Sequence, residues 1–246
     1  MLKKTLSKKL QPIIELYTKD YSEYESQDLI GLYDGRAGTL FLQYLIYDYN
    51  KDPDIKTELI KNITILIEKL SNSEVLHGEL STGLAGIGYV FDIINQDPDL
   101  DIDLSDFLEE VDEALIDVVK NFIKNKNYDI LHGMLGLGLY FLRRGDFSVI
   151  ETIIEELHNS SIKKDNCIAW NRYDDFMIKE NIYDFGLAHG ISGIIYFLGK
   201  CYKNEIQKDL CKTLINGSIA FLEENEQNFK KNGAYYPNKL ICSQYD

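Results

Sequence analysis

Four times along this chain a Gly-x-x-Gly pair heads an apolar run: Gly35/Gly38, Gly83/Gly86, Gly133/Gly136 and Gly190/Gly193. The leading glycines recur at roughly 50 residues, the range of helical-hairpin repeats. Each apolar run is followed by a segment whose apolar residues return at helical spacing. A hairpin of that kind cannot bury its own apolar faces, so neighbouring copies must stack. Glycine at the start of each inner helix allows close packing and leaves room for a central cavity. Phosphate-cradling loops are the competing reading. They would need a following Gly-Lys-Ser/Thr and a preceding strand, and the sequence offers neither.

In chain order, residues 3–19 predict a first helix, and the polar stretch YSEYESQD follows. After Gly35 the run Leu40, Phe41, Leu42, Tyr44, Leu45, Ile46 is apolar on nearly every face, which predicts a buried helix. Asp52-Pro53 supplies a cap and a first-turn proline. Ile55, Leu59, Ile63, Leu66, Ile67 and Leu70 then mark an amphipathic covering helix. The alternation repeats: inner helices led by Gly83, Gly133 and Gly190, and covering helices near 104–124, 147–158 and 205–225. Strand-like stretches are few, so the expected fold class is all-α.

Hydrophobic residues make up 45% and charged residues 27% of 246, ordinary for a globular chain. The net charge of −14 offers no basic stripe for nucleic acid or an anionic membrane. No secretory signal is recognisable, and no run of about 18 apolar residues occurs. Cys167, Cys201, Cys211 and Cys242 form no Cys-x-x-Cys pair. They fit reduced thiols, and a cytoplasmic location is expected. The 17 tyrosines and 11 phenylalanines sit mostly in the apolar runs and read as core.

Among candidate site residues, His189 lies between two glycines just before a buried helix. Such a turn can present an imidazole to a cavity, or the ring can cap the helix or bond a carbonyl. Asp129, four residues before Gly133, fits an N-cap of the inner helix. His77 and His132 also precede glycines, in different hairpins, and read as turn residues rather than metal ligands. Asp34 and Arg36 fit a salt bridge or cap. Asp174-Asp175 is a carboxylate pair of the sort glycosidases use, but it falls in a polar linker after Trp170.

FGLAHGISGI, STGLAGIGY, YDILHGMLGLG and YDGRAGTLFL together resemble the lanthionine synthetase C-like family, the cyclases of lantibiotic biosynthesis and their relatives. The resemblance covers almost the whole chain. It implies an α,α-toroid, an inner ring of helices inside an outer ring, with the active site at one mouth. The implied reaction is Michael addition of a cysteine thiol of a precursor peptide to dehydroalanine or dehydrobutyrine in the same peptide, forming a thioether ring. Zinc would supply a thiolate near neutral pH, and a general acid would protonate the α-carbon. His189 matches the family's active-site histidine, and Asp129 matches its acidic residue, which orients or tunes that histidine.

Family members close the ring with seven hairpins and hold zinc by Trp-Cys-Tyr-Gly and Cys-His-Gly motifs. This sequence ends at ICSQYD before either, and Cys242 lacks their flanking residues. The expectation is a single domain over 1–246, an incomplete ring of four to five hairpins without zinc ligands, inactive alone. The partners implied are a precursor peptide, a matching dehydratase and a completing C-terminal fragment. A non-catalytic peptide-binding or scaffold protein on the same fold is the alternative. An unclosed ring would leave apolar edges bare, so self-association is expected. Light scattering checks this, and a stable, monodisperse monomer would count against it.

Overall fold

The structure is a computed structural model that describes residues 29–72, 77–172 and 181–242, together with Pro12. The expected helix over 3–19 lies outside these residues apart from Pro12, as do YSEYESQD and the Asp174-Asp175 pair. Four helical hairpins follow in order among the described residues: α1 (Arg36–Asn50) with α2 (Pro53–Ser71), and α3 (Leu84–Asn95) with α4 (Ser105–Lys124). Then come α5 (Met134–Arg144) with α6 (Phe147–Ser160), and α7 (Ile191–Lys203) with α8 (Lys208–Glu224). The glycine-led helices α1, α3, α5 and α7 pack side by side in sequence order, and α4, α6 and α8 neighbour one another outside them.

The boundaries follow from local chemistry. Asp52 caps α2 by accepting from the Asp54 N–H at 2.9 Å, with Pro53 in the first turn. Asp146 does the same for α6, accepting from the Ser148 N–H. The glycine-led helices have no side-chain cap. The first N–H groups of any helix lack intrahelical partners, and for α1, α3 and α5 the preceding loop supplies them. Arg36 N–H donates to the Leu29 carbonyl, Leu84 N–H to His77 and Met134 N–H to Asn127, each seven residues back.

That loop lies so close to the helix that a side chain cannot fit. A Cβ on Gly83 would stand 2.2 Å from the His77 carbonyl oxygen, and one on Gly190 would stand 2.1 Å from that of Asp184. The second glycine of each pair is under the same constraint. A Cβ on Gly38, Gly86 or Gly136 would meet the carbonyl six residues earlier at 2.1 Å, and one on Gly193 at 2.3 Å. The glycines therefore fit helix to loop within one repeat. A third glycine joins repeats: Gly88 lies against the Tyr140 ring and Gly138 against Phe197, each from the next inner helix.

Successive loops are also tied directly. Tyr33 N–H donates to the Ser81 carbonyl, Ser81 N–H to Leu131 and Ile130 N–H to Ala188, at 2.9–3.0 Å. On the far side, Arg144 at the end of α5 reaches Asp92 of α3 and Asp112 of α4 at 2.9–3.0 Å. Tyr140 donates to the same Asp112 carboxylate, and burial together with that bond holds its phenol well above the usual range.

The fold is mostly helical, as expected, with two short strand pairs that the sequence reading did not place; one further expectation is corrected. Ile162–Lys164 (β1) pairs antiparallel with Cys167–Ala169 (β2), and Asn181–Asp184 (β3) pairs with Lys239–Cys242 (β4). These strands are three or four residues long, too short for alternation to stand out from the surrounding sequence. The helix after Gly35 is not wholly buried. Leu45 and Tyr49 are exposed, while α3 and α5 are buried over most of their surface. The reason is position: α3 and α5 have an inner helix on both sides, whereas among the described residues α1 packs on one inner neighbour, α3. Tyr196 and Tyr202 of α7 are exposed in the same way.

Gly136→Ala is expected to cost about 1–3 kcal/mol, because its methyl group meets backbone that cannot move aside. Gly199→Ala, in α7 with nothing within 4 Å of a Cβ, is expected to stabilise by about 0.5–1 kcal/mol. Urea unfolding of the two variants checks this; equal effects would remove the close-approach argument.

Candidate functional site

The loops that lead into α5 and α7 open onto a cavity of about 540 Å³ at the N-terminal ends of these helices. Asp129, His132 and His189 line it. Asp129 stands at its centre of bonding. One carboxylate oxygen accepts from the backbone N–H groups of Leu131 and His132, at 2.6 and 2.9 Å. The other oxygen bonds His189 Nδ1. The Asp129 side chain is 16% exposed and that of His189 is 41% exposed, so the carboxylate is sheltered while the imidazole still reaches the cavity. A histidine that gives its Nδ1 proton to a carboxylate keeps Nε2 free to exchange a proton.

Asp129 is not the N-cap of α5; Gly133 is. Asp129 closes the turn before it. The loop is further locked by Asn127, which donates from Nδ2 to the His132 carbonyl at 2.9 Å and accepts the Asp129 N–H at 3.2 Å. His189 neither caps α7 nor relies on a backbone carbonyl for its Nδ1 partner.

His132, expected to be a turn residue of a separate hairpin, lies here beside His189. The His132 and His189 rings lie 6.4 Å apart between centroids, 13° from parallel. His132 Nδ1 lies 2.9 Å from Ser81 Oγ and 3.8 Å from Glu79 Oε2, and Glu79 accepts from Thr82 Oγ1 at 2.7 Å. His77, Asp34 and Arg36 do not line this cavity. The His77 carbonyl serves the α3 turn.

Residues not singled out by sequence complete the wall. Tyr128 is buried, which pushes its phenol up to about 12 and keeps it neutral. Asp184 on β3 accepts from the Gly186 N–H at 2.7 Å and faces the Arg172 guanidinium at 3.5 Å. Trp170 is buried, and its indole N–H donates to the Leu157 carbonyl at 2.8 Å. Asn127 and Asp184 occupy the same place in their repeats, six residues before the leading glycine. That offset is the one signal by which the sequence could have found them.

Residues 26–245 match the family model described as lanthionine synthetase C-like protein. The chain belongs to that family. Comparison with curated protein sequences finds no match. Among solved structures, nisin cyclase superposes with a TM-score of 0.74 at 18% sequence identity, over 96% of this chain and 62% of its own. At that identity the likeness is one of fold, and the fold of nisin cyclase is an α,α-toroid. The chain thus spans less than two thirds of the length of this relative.

The family is zinc-dependent, and the described residues do not fit a zinc site. Among them, no group of three or more His, Cys, Asp or Glu could hold a metal ion. His132 and His189 each commit Nδ1 to a protein oxygen. Cys167, Cys201 and Cys211 are buried and do not line the cavity. Burial pushes the Cys167 thiol up to about 11, far from the thiolate a metal prefers. The Cys242 side chain lies outside the described residues. No helix among the described residues is long and apolar enough to cross a membrane.

Asp129→Ala leaves the Leu131 and His132 N–H groups and His189 Nδ1 without their acceptor, and is expected to cost about 1–3 kcal/mol. Asp129→Asn, which can still accept from the turn, should recover more than half of that. Unfolding midpoints of both variants check it; equal losses would place the importance of Asp129 in its charge alone.

Proposed function

We propose that this chain acts on a peptide, as a lanthionine cyclase-like protein that joins a cysteine sulfur to the β-carbon of a dehydroamino acid. The four hairpins are read as an arc of the family's α,α-toroid. Support comes from the sequential packing of α1, α3, α5 and α7 inside their covering helices and from the superposition on nisin cyclase. The observation that carries the chemical reading is the Asp129–His189 pair, built from two adjacent hairpins and open to one cavity.

The reaction has two needs that this geometry addresses. A thiol must lose its proton, because the thiolate is the nucleophile. The enolate left after sulfur adds must then gain a proton at the α-carbon. In this reading His189 meets the second. Asp129 fixes its ring through Nδ1, so the proton is delivered from Nε2 on the cavity side. In the family zinc activates the thiol.

Loss of a positioned general acid typically costs about 100- to 10,000-fold in rate. His189→Gln is therefore expected to slow thioether formation by that range in a dehydrated, cysteine-containing peptide assayed with zinc. Consumption of free thiol, followed by mass spectrometry after alkylation, reads the rate. An unchanged rate would move the acid role to another residue. Absence of ring formation by the unsubstituted chain across a panel of such peptides would favour a non-catalytic, peptide-binding role.

A further inference from the structure

The Asp129–His189 pair leaves one imidazole of the cavity without a task. His132 comes from the turn before α5, and its side chain is 48% exposed. Its environment parallels that of His189. Each ring has Nδ1 against a protein oxygen, Asp129 for His189 and Ser81 for His132. Each has a carboxylate at that edge, with Glu79 at 3.8 Å from His132 Nδ1. Each lines the same cavity. One residue also couples the two: Asp129 holds the His132 backbone N–H with one oxygen and His189 Nδ1 with the other. A turn histidine that only filled space would need neither the Ser81 contact nor a carboxylate fixed by Thr82.

We propose that His132 is a second proton-transfer residue of this cavity, and that its Nε2 takes the proton of the substrate thiol. The proposal rests on the cyclase-like reading above and adds a division of labour to it. With Nδ1–H donated to Ser81 Oγ, neutral His132 keeps its Nε2 lone pair for the thiol proton. The resulting imidazolium faces Glu79. The thiolate sulfur adds to the β-carbon, forming the S–C bond while the Cα–Cβ π pair moves to the enolate. His189, starting as the imidazolium paired with Asp129, gives its Nε2 proton to the α-carbon and ends neutral. The chain has then gained one proton at His132 and lost one at His189, and transfer between rings 6.4 Å apart through solvent restores the start. No oxidant, reductant or further reactant is needed.

The test separates thiol ionisation from ring formation. A short cysteine-containing peptide without dehydroamino acids is added to the full chain at neutral pH. Thiolate is read by its ultraviolet absorbance, against the same peptide with serine in place of cysteine. The unsubstituted chain is expected to raise the thiolate fraction several-fold over free peptide. His132→Gln should return it to the free-peptide level, Glu79→Gln should reduce it, and His189→Gln should leave most of it. No thiolate gain with the unsubstituted chain overturns the proposal. So does a gain that survives His132→Gln, or one that His189→Gln abolishes equally. The Glu79 variant keeps the test decisive should the His132 variant misfold. Thiolate gain without ring formation from any dehydrated peptide would instead overturn the cyclase-like reading and leave His132 as the thiol base.

Discussion

The contact on which the rest of this structure depends is between each pair of glycines and the carbonyls six residues before them. It replaces a side-chain cap. Loop carbonyls take the first N–H groups of the helix, which would otherwise be unsatisfied, and this brings the loop too close for any Cβ. Four loops folded in the same way then stand in line. Hydrogen bonds from Tyr33 to Ser81, from Ser81 to Leu131 and from Ile130 to Ala188 join them into one layer. That layer holds the cavity residues, so function and fold share one constraint.

Rigid placement follows from how the site is shared. His189 stands on the fourth loop and Asp129 on the third, and their bond spans 60 residues of sequence. Neither hairpin alone contains the pair. Asp129 also closes its own turn, and Asn127 closes it a second time. The carboxylate is thus fixed before it meets the imidazole, the kind of preorganisation that proton transfer at a defined atom requires. Arg144, at the end of α5 away from the cavity, is ion-paired to Asp92 of α3 and Asp112 of α4 and ties α5 to the preceding hairpin.

Much of this was legible in the sequence. The period of the glycine pairs marked the hairpins, and Asp52-Pro53 and Gly133 marked helix starts that the structure keeps. Asp129 and His189, the residues the family resemblance singled out, are hydrogen-bonded to each other. Other features were not legible, for physical reasons. Strands β1 to β4 are too short for a period. The meeting of His132 with His189 depends on how far one loop is displaced from the next, which no local pattern encodes. Exposure of Leu45 and Tyr49 depends on how many neighbours α1 has, and its composition matches that of helices with two.

The central claim is that the four loops form one hydrogen-bonded layer rather than four separate turns. Native-state hydrogen exchange tests it most directly. The amides of Tyr33, Ser81 and Ile130 are predicted to exchange as slowly as the core amides of α3 and α5, and to be lost together with them as denaturant rises. Exchange of these three at the rate of open loops, while α3 and α5 stay protected, would contradict the account.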